Sequence, residues 1–204
     1  IFFDNGFQHE VFNVRFIVFE LFPRDLIVFE ILKKILMLHT GIAQKDNAVQ
    51  LRMLGEIHPM EIHRYPSGSE HNGWIVPDHY DVKKAKVSFK GKKIFDGTEH
   101  VLAVAGASRS FIGKLSKEEL DGHIFTNPKL PDSYVYNPMS MMRPWEKRWG
   151  LCVPYNQYKC WEDGDYEVEL ITEFEPNELL VGECLHQGET DETIVLNAHT
   201  CHPG

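Results

Sequence analysis

His199, Cys201 and His202 are the residues of this chain whose types and spacing best suit chemistry. Imidazole nitrogen and thiolate both bind zinc. A catalytic zinc usually takes about three protein ligands and leaves one position for water. The pattern admits three readings: a catalytic metal site on His199 and His202, a structural zinc site that also uses Cys201, and a turn whose histidines only make hydrogen bonds. No C-x-x-C pair accompanies the cluster, which counts against the structural zinc site.

A metal site needs a rigid frame, and the residues just before the cluster offer one. Ile194-Val-Leu196 is a continuous apolar run, the pattern of a central strand covered on both faces by helices. A ligand placed just past the end of such a strand sits at the mouth of a cleft, where open α/β sheets bind their ligands. Strand register favours His199 as the ligand. His202 precedes Pro203, which restricts its backbone to extended conformations, so it is also held at little ordering cost.

Upstream, residues 26–38 predict a helix that starts near Pro23 and Asp25 and is over by Gly41. A second helix is expected from Asp46 to about Gly55, stopped by Pro59. Met60 to Tyr65 alternates like a short strand, and Pro66-Ser67-Gly68 turns the chain. Ser67 has no paired base in the sequence, so a turn is the expectation and not a nucleophile.

From Trp74 to about Tyr166 the texture is β-rich and dense in turns. Residues 82–89 alternate, with Ala85, Val87 and Phe89 on the apolar side. Lys90-Gly91 and Asp96-Gly97 punctuate hairpins, and His100 to Ala105 predicts a strand. Ser116 with Glu119 makes a capping box for a short helix. Tyr166, Val168 and Leu170 alternate with Glu167 and Glu169 as in a half-buried strand, and Glu178 to Leu185 predicts another. Trp74, Pro77, Trp145, Trp149 and Gly150 either pack or line a sugar-sized cleft; packing is the commoner role of such residues.

The chain has 204 residues, 43% of them apolar, with a net charge of -9. That suffices for a real core and argues against nucleic acid as partner, since no basic stripe stands out. The Phe-rich start is too interrupted by charge for a membrane span or a signal peptide. Cys152, Cys160, Cys184 and Cys201 lie far apart, as expected of reduced thiols in a cytoplasmic protein. The start at Ile1 and the end just past His202 lead us to expect a fragment.

Several segments together carry a family resemblance. YPSGSEHNGWIVPDHYDVKKAKV, LSKEELDGHIF, WEKRWGLCVPYNQYKCWEDGDYEVEL and DETIVLNAHTCHPG occur in the order found in bacterial aminopeptidase-like proteins encoded beside polysaccharide-biosynthesis genes. The resemblance covers about residues 30 to 204. It implies an α/β fold: part of a three-layer zinc-exopeptidase-like domain, interrupted by a β-rich insert of unknown function. Residues 1–73 would give the first helices and strand, 74–165 the insert, and 166–204 the return to the peptidase-like sheet, ending at the metal-site turn.

The resemblance further implies a zinc-dependent hydrolase, a metalloprotease-like enzyme with one or two zinc ions in the longer protein. Its substrate would be a peptide or an amide-bearing small molecule, a sugar precursor among the options. In ordinary zinc aminopeptidases an orienting aspartate follows the strand histidine by two residues. Cys201 stands at that position here. The alternative reading is therefore a glycan- or partner-binding module on a peptidase frame that has lost its chemistry. Homo-oligomerisation through the insert is a further option.

Overall fold

A computed structural model describes residues 23–200 apart from Met37, Pro144 and Asp191. The Phe-rich start, Cys201 and His202 lie outside the described residues.

Helix α1 spans Pro23–Ile35 and α2 spans Asp46–Ile57, close to expectation. Asp46 favours the start of α2 because the helix dipole is positive there. The link between the helices is held by Asn47. Its carboxamide accepts the Gly41 N–H at 3.3 Å and donates to the Gly41 carbonyl at 2.6 Å. Pro59 stands just past the His58 cap of α2, where it is expected to stop the helix.

Strand β1 (Glu61–Pro66) pairs antiparallel with β10 (Glu178–Glu183) in a two-stranded sheet. Helix α2 lies against it at Gly182, where a Cβ would meet Met60 Sδ at 2.9 Å and Leu51 Cδ2 at 3.2 Å. A glycine lets helix and strand approach this closely.

Between these strands runs the middle of the chain. After the short β2 (Glu70–His71) and β3 (Trp74–Ile75) come β4 (His79–Phe89), β5 (Lys92–Asp96), β6 (Phe111–Ser116) and, later, β9 (Asp165–Glu175). They form a four-stranded sheet in the order β5-β4-β9-β6. Its neighbouring strands all pair antiparallel. The alternation read in the sequence sets its two faces. Ala85, Val87, Tyr166, Val168 and Leu170 point inward and are almost fully buried. Lys84 and Glu169 pair across the solvent face.

Over the inner face pack Leu120 of α3 (Lys117–Asp121), Leu151 of β8 (Leu151–Cys152), Val153, Phe95 and Trp149. Each such side chain stabilises the fold by about 1.5–3 kcal/mol. The capping box forms as expected: the Glu119 carboxylate accepts the Ser116 N–H at 2.8 Å. The parallel partner of β8 is β7 (Ile124–Phe125), and α4 spans Tyr155–Tyr158.

Three expectations need correction or adjustment. Lys90-Gly91 does turn a hairpin, both residues having positive φ, but Asp96-Gly97 does not. There the Asp96 carboxylate takes the Thr98 N–H at 3.1 Å and the Thr98 hydroxyl at 2.6 Å, so the side chain ends the strand and no partner strand follows at once. His100 to Ala105 is a set of turns with one bridge, Val104 to Leu151, and not a strand. The run Ile194-Val-Leu196 is not a central strand either. It has no strand neighbour, and its side chains are 88%, 81% and 93% exposed. An apolar run becomes a central strand only where strands flank it and helices cover it, and the described residues bring neither to it.

The division expected at residues 165 and 166 falls on the first residue of β9. That strand hydrogen-bonds to β4 and β6, so pairing groups residues 166–175 with the middle segment.

Candidate functional site

His199 lies in an exposed stretch, residues 184–190 and 192–200, without helix or strand. His202 is outside the described residues, so the structure places one of the two predicted ligands. Among the described residues no group of three or more histidine, cysteine or acidic side chains is arranged to hold a metal. A single exposed imidazole does not make a zinc site, and the described residues do not fit a catalytic zinc by themselves.

The cysteines behave as ordinary thiols. Cys152, Cys160 and Cys184 are free, and burial pushes the Cys152 thiol up to about 12. Such a thiol stays protonated and inert. The aromatic set divides. Trp149 is buried, stacked on His123 at 3.8 Å and on Phe111 at 4.5 Å. Pro77 is buried and Gly150 is packed against Phe125. These residues hold the core together. Trp74 packs beside Tyr80 and Met141, while Trp145 is exposed.

A second polar group was not read from the sequence. It gathers where the α1–α2 link meets β4 and the turn after β5. The His39 N–H donates to Asp46 at 2.8 Å, and its ring meets Tyr80 edge-on at 5.7 Å. Burial lowers the pKa of His39, against the opposing pull of Asp46 and Asp81. Burial likewise lowers that of His79, and Lys45 adds to the effect. His79 Nε2 lies 3.7 Å from Glu175, and its Nδ1 is buried with no hydrogen bond among the described residues. Asp81 is held below the usual carboxylate range by Lys83, 2.5 Å away. His39, His79 and His100 come from separate segments, so no local spacing announced them.

Mixed helices and sheets of this kind define an α/β frame resembling that of a solved peptidase-type protein. "Crystal structure of putative peptidase from Clostridium acetobutylicum" superimposes with a TM-score of 0.71 at 27% identity, covering 86% of this chain and 41% of that one. The family "Domain of unknown function (DUF2172)" matches residues 79–173, from the start of β4 nearly to the end of β9. A curated relative from Clostridium acetobutylicum, "Putative polysaccharide biosynthesis protein with aminopeptidase-like domain", is 32% identical over 146 residues, 71% of this chain and 33% of the relative. The resemblance read from the sequence therefore holds at this level: residues 79–173 match DUF2172, and the chain is similar to a clostridial protein named for an aminopeptidase-like domain. It spans about a third of the length of that relative. Among the described residues no helix is long and apolar enough to cross a membrane.

Proposed function

We propose that this chain is part of a zinc-dependent, aminopeptidase-like amide hydrolase, with His199 or His202 as one metal ligand. The reading rests on one combination: a frame like that of the clostridial structure, followed in sequence by the apolar run and the His-Thr-Cys-His motif. The other ligands would come from parts of the longer relatives that this chain does not span. Zinc in such a site polarises a carbonyl and lowers the pKa of bound water toward about 7. The chain's own contribution is a ligand carried just after the apolar run Ile194 to Leu196. The segment from Trp74 through β9 acts as a module inserted in that frame. The substrate is a peptide or an amide-bearing sugar precursor.

The test uses the longer protein. His199→Ala and His202→Ala are compared for zinc content by elemental analysis, with circular dichroism as the folding control. The reading expects one of them to lose at least one zinc per chain and most hydrolytic rate. Full zinc and rate in both variants would overturn it.

Cys201 favours a second reading, in which the frame binds a glycan or partner without chemistry. Under that reading the longer protein purified from zinc-rich medium carries no stoichiometric zinc.

A further inference from the structure

The polar group beside β4 lines a cleft of about 190 Å³ bounded by His39, Tyr80, Asp81, Thr98, His100 and Val104. This is smaller than the roughly 300–1,000 Å³ of pockets for drug-sized ligands, and suits one small ring.

Its walls are fixed by the fold. His39 is anchored through its backbone to Asp46. The Gly97 N–H donates to the Ala85 carbonyl at 2.6 Å. A Cβ on Gly97 would meet Ala85 Cβ at 2.8 Å and Val104 Cγ2 at 3.2 Å. His100 stacks on Tyr134 with ring centroids 4.2 Å apart.

The hydrogen-bonding capacity left over can be assigned atom by atom. His100 Nδ1 accepts the Leu102 N–H at 3.1 Å, which leaves Nε2 as the donor, with no hydrogen bond among the described residues. The Thr98 hydroxyl gives its proton to Asp96 and keeps acceptor capacity. Asp81 uses Oδ2 for Lys83, while its Oδ1 makes no hydrogen bond among the described residues. Burial favours the neutral form of the His39 ring, which can both donate and accept. Among the described residues no lysine or arginine lines the cleft, and the charge of Asp81 is balanced by Lys83. Donors and acceptors on apolar walls, without a free cation or an unbalanced anion, match a neutral ring bearing hydroxyl groups.

We infer that this cleft binds a neutral, hydroxyl-bearing ring of about one pyranose unit, with His100 and His39 donating and Asp81 and Thr98 accepting. The site does not depend on the hydrolase reading, because it uses no residue of the His-Thr-Cys-His motif and no metal.

The test is an amide-resolved NMR titration of the chain with D-glucose, D-glucuronate and D-glucosamine, without metal. Glucose is expected to bind in the millimolar range and shift the amides of residues 39, 80–82 and 97–101. Glucuronate and glucosamine are expected to bind more weakly. His100→Ala and Asp81→Ala should each weaken glucose binding at least about tenfold, because a polar ligand group is left unpaired. If Asp81→Ala does not fold, Thr98→Ala replaces it. The inference is overturned if glucose shifts none of these amides, if either variant binds as the unsubstituted chain does, or if a charged sugar binds as tightly as glucose.

Discussion

Ser67 and Asn177 hold each other across 110 positions of sequence. The Ser67 N–H donates to the Asn177 carbonyl at 2.8 Å, and the Asn177 N–H donates to Ser67 Oγ at 2.9 Å. Asn177 also donates from its side chain to the Ala43 carbonyl at 2.9 Å. This clasp sits where the chain leaves β1 for the middle segment and where it returns to β10. It joins both crossings to the α1–α2 link. Ser67 is thus a fastener and not a nucleophile.

Ser67→Ala should destabilise the chain by about 1–3 kcal/mol, because it orphans a part-buried N–H. Ser67→Thr keeps the oxygen and should recover most of that loss. Urea unfolding curves of the three proteins check it. A midpoint unchanged in the alanine variant would show the clasp to be dispensable.

Gly150 offers a test of packing. A Cβ there would stand 2.4 Å from Phe125 Cε2, 2.7 Å from Met139 Cε and 3.1 Å from the His123 carbonyl. The carbonyl belongs to the backbone and cannot swing away. Gly150→Ala should cost about 1–3 kcal/mol by overpacking. Thermal unfolding that is unaltered by the methyl group would mean that this layer is looser than described.

The acid side of the stability curve follows from His39 and His79. Both have pKa values lowered by burial, so the unfolded chain takes up protons that the folded chain refuses. Their contribution is present above the unfolded histidine pKa of about 6.5 and is lost as pH falls below it toward the lower folded values. Stability should therefore decline as pH is lowered from about 7 to about 5. His39→Asn with His79→Gln should flatten that decline. Asp96, held at about 2 by Thr98 and Lys93, adds a separate loss at lower pH, from the ordinary aspartate range down through about 2. Unfolding midpoints across the range, with and without the double substitution, decide it; equal slopes would rule the histidines out.

What could be read in advance was what neighbours in sequence determine. The alternation of Tyr166, Val168 and Leu170 with Glu167 and Glu169 sets the faces of β9 wherever its partners are. Ser116 and Glu119 are one helical turn apart, so their capping box is a local fact. The cleft beside β4 was not legible, because His39, Asp81 and His100 meet only after three segments have packed. Ile194 to Leu196 shows the opposite limit. An apolar run declares that it can be buried and not what buries it, so its exposure could not be foreseen. The family was legible for a different reason: several separated segments occur in one order, and the clostridial relative is 32% identical over 146 residues.

The last prediction concerns this chain without any further part of a longer protein. A catalytic zinc needs about three protein ligands held at fixed positions. Of the proposed ligands the described residues include His199, on a stretch whose apolar run, Ile194 to Leu196, is exposed and not packed into a sheet. A ligand on such a stretch must be ordered at the moment of binding, at about 1–2 kcal/mol per backbone residue. Zinc binding by this chain should therefore be weak, and release of an aminoacyl chromophore should stay at the background rate with zinc supplied. A longer protein that packs the run should bind zinc tightly and protect the amides of residues 194–199 from hydrogen exchange. Chelator-sensitive release of the chromophore by this chain alone would show that the ligands within it suffice.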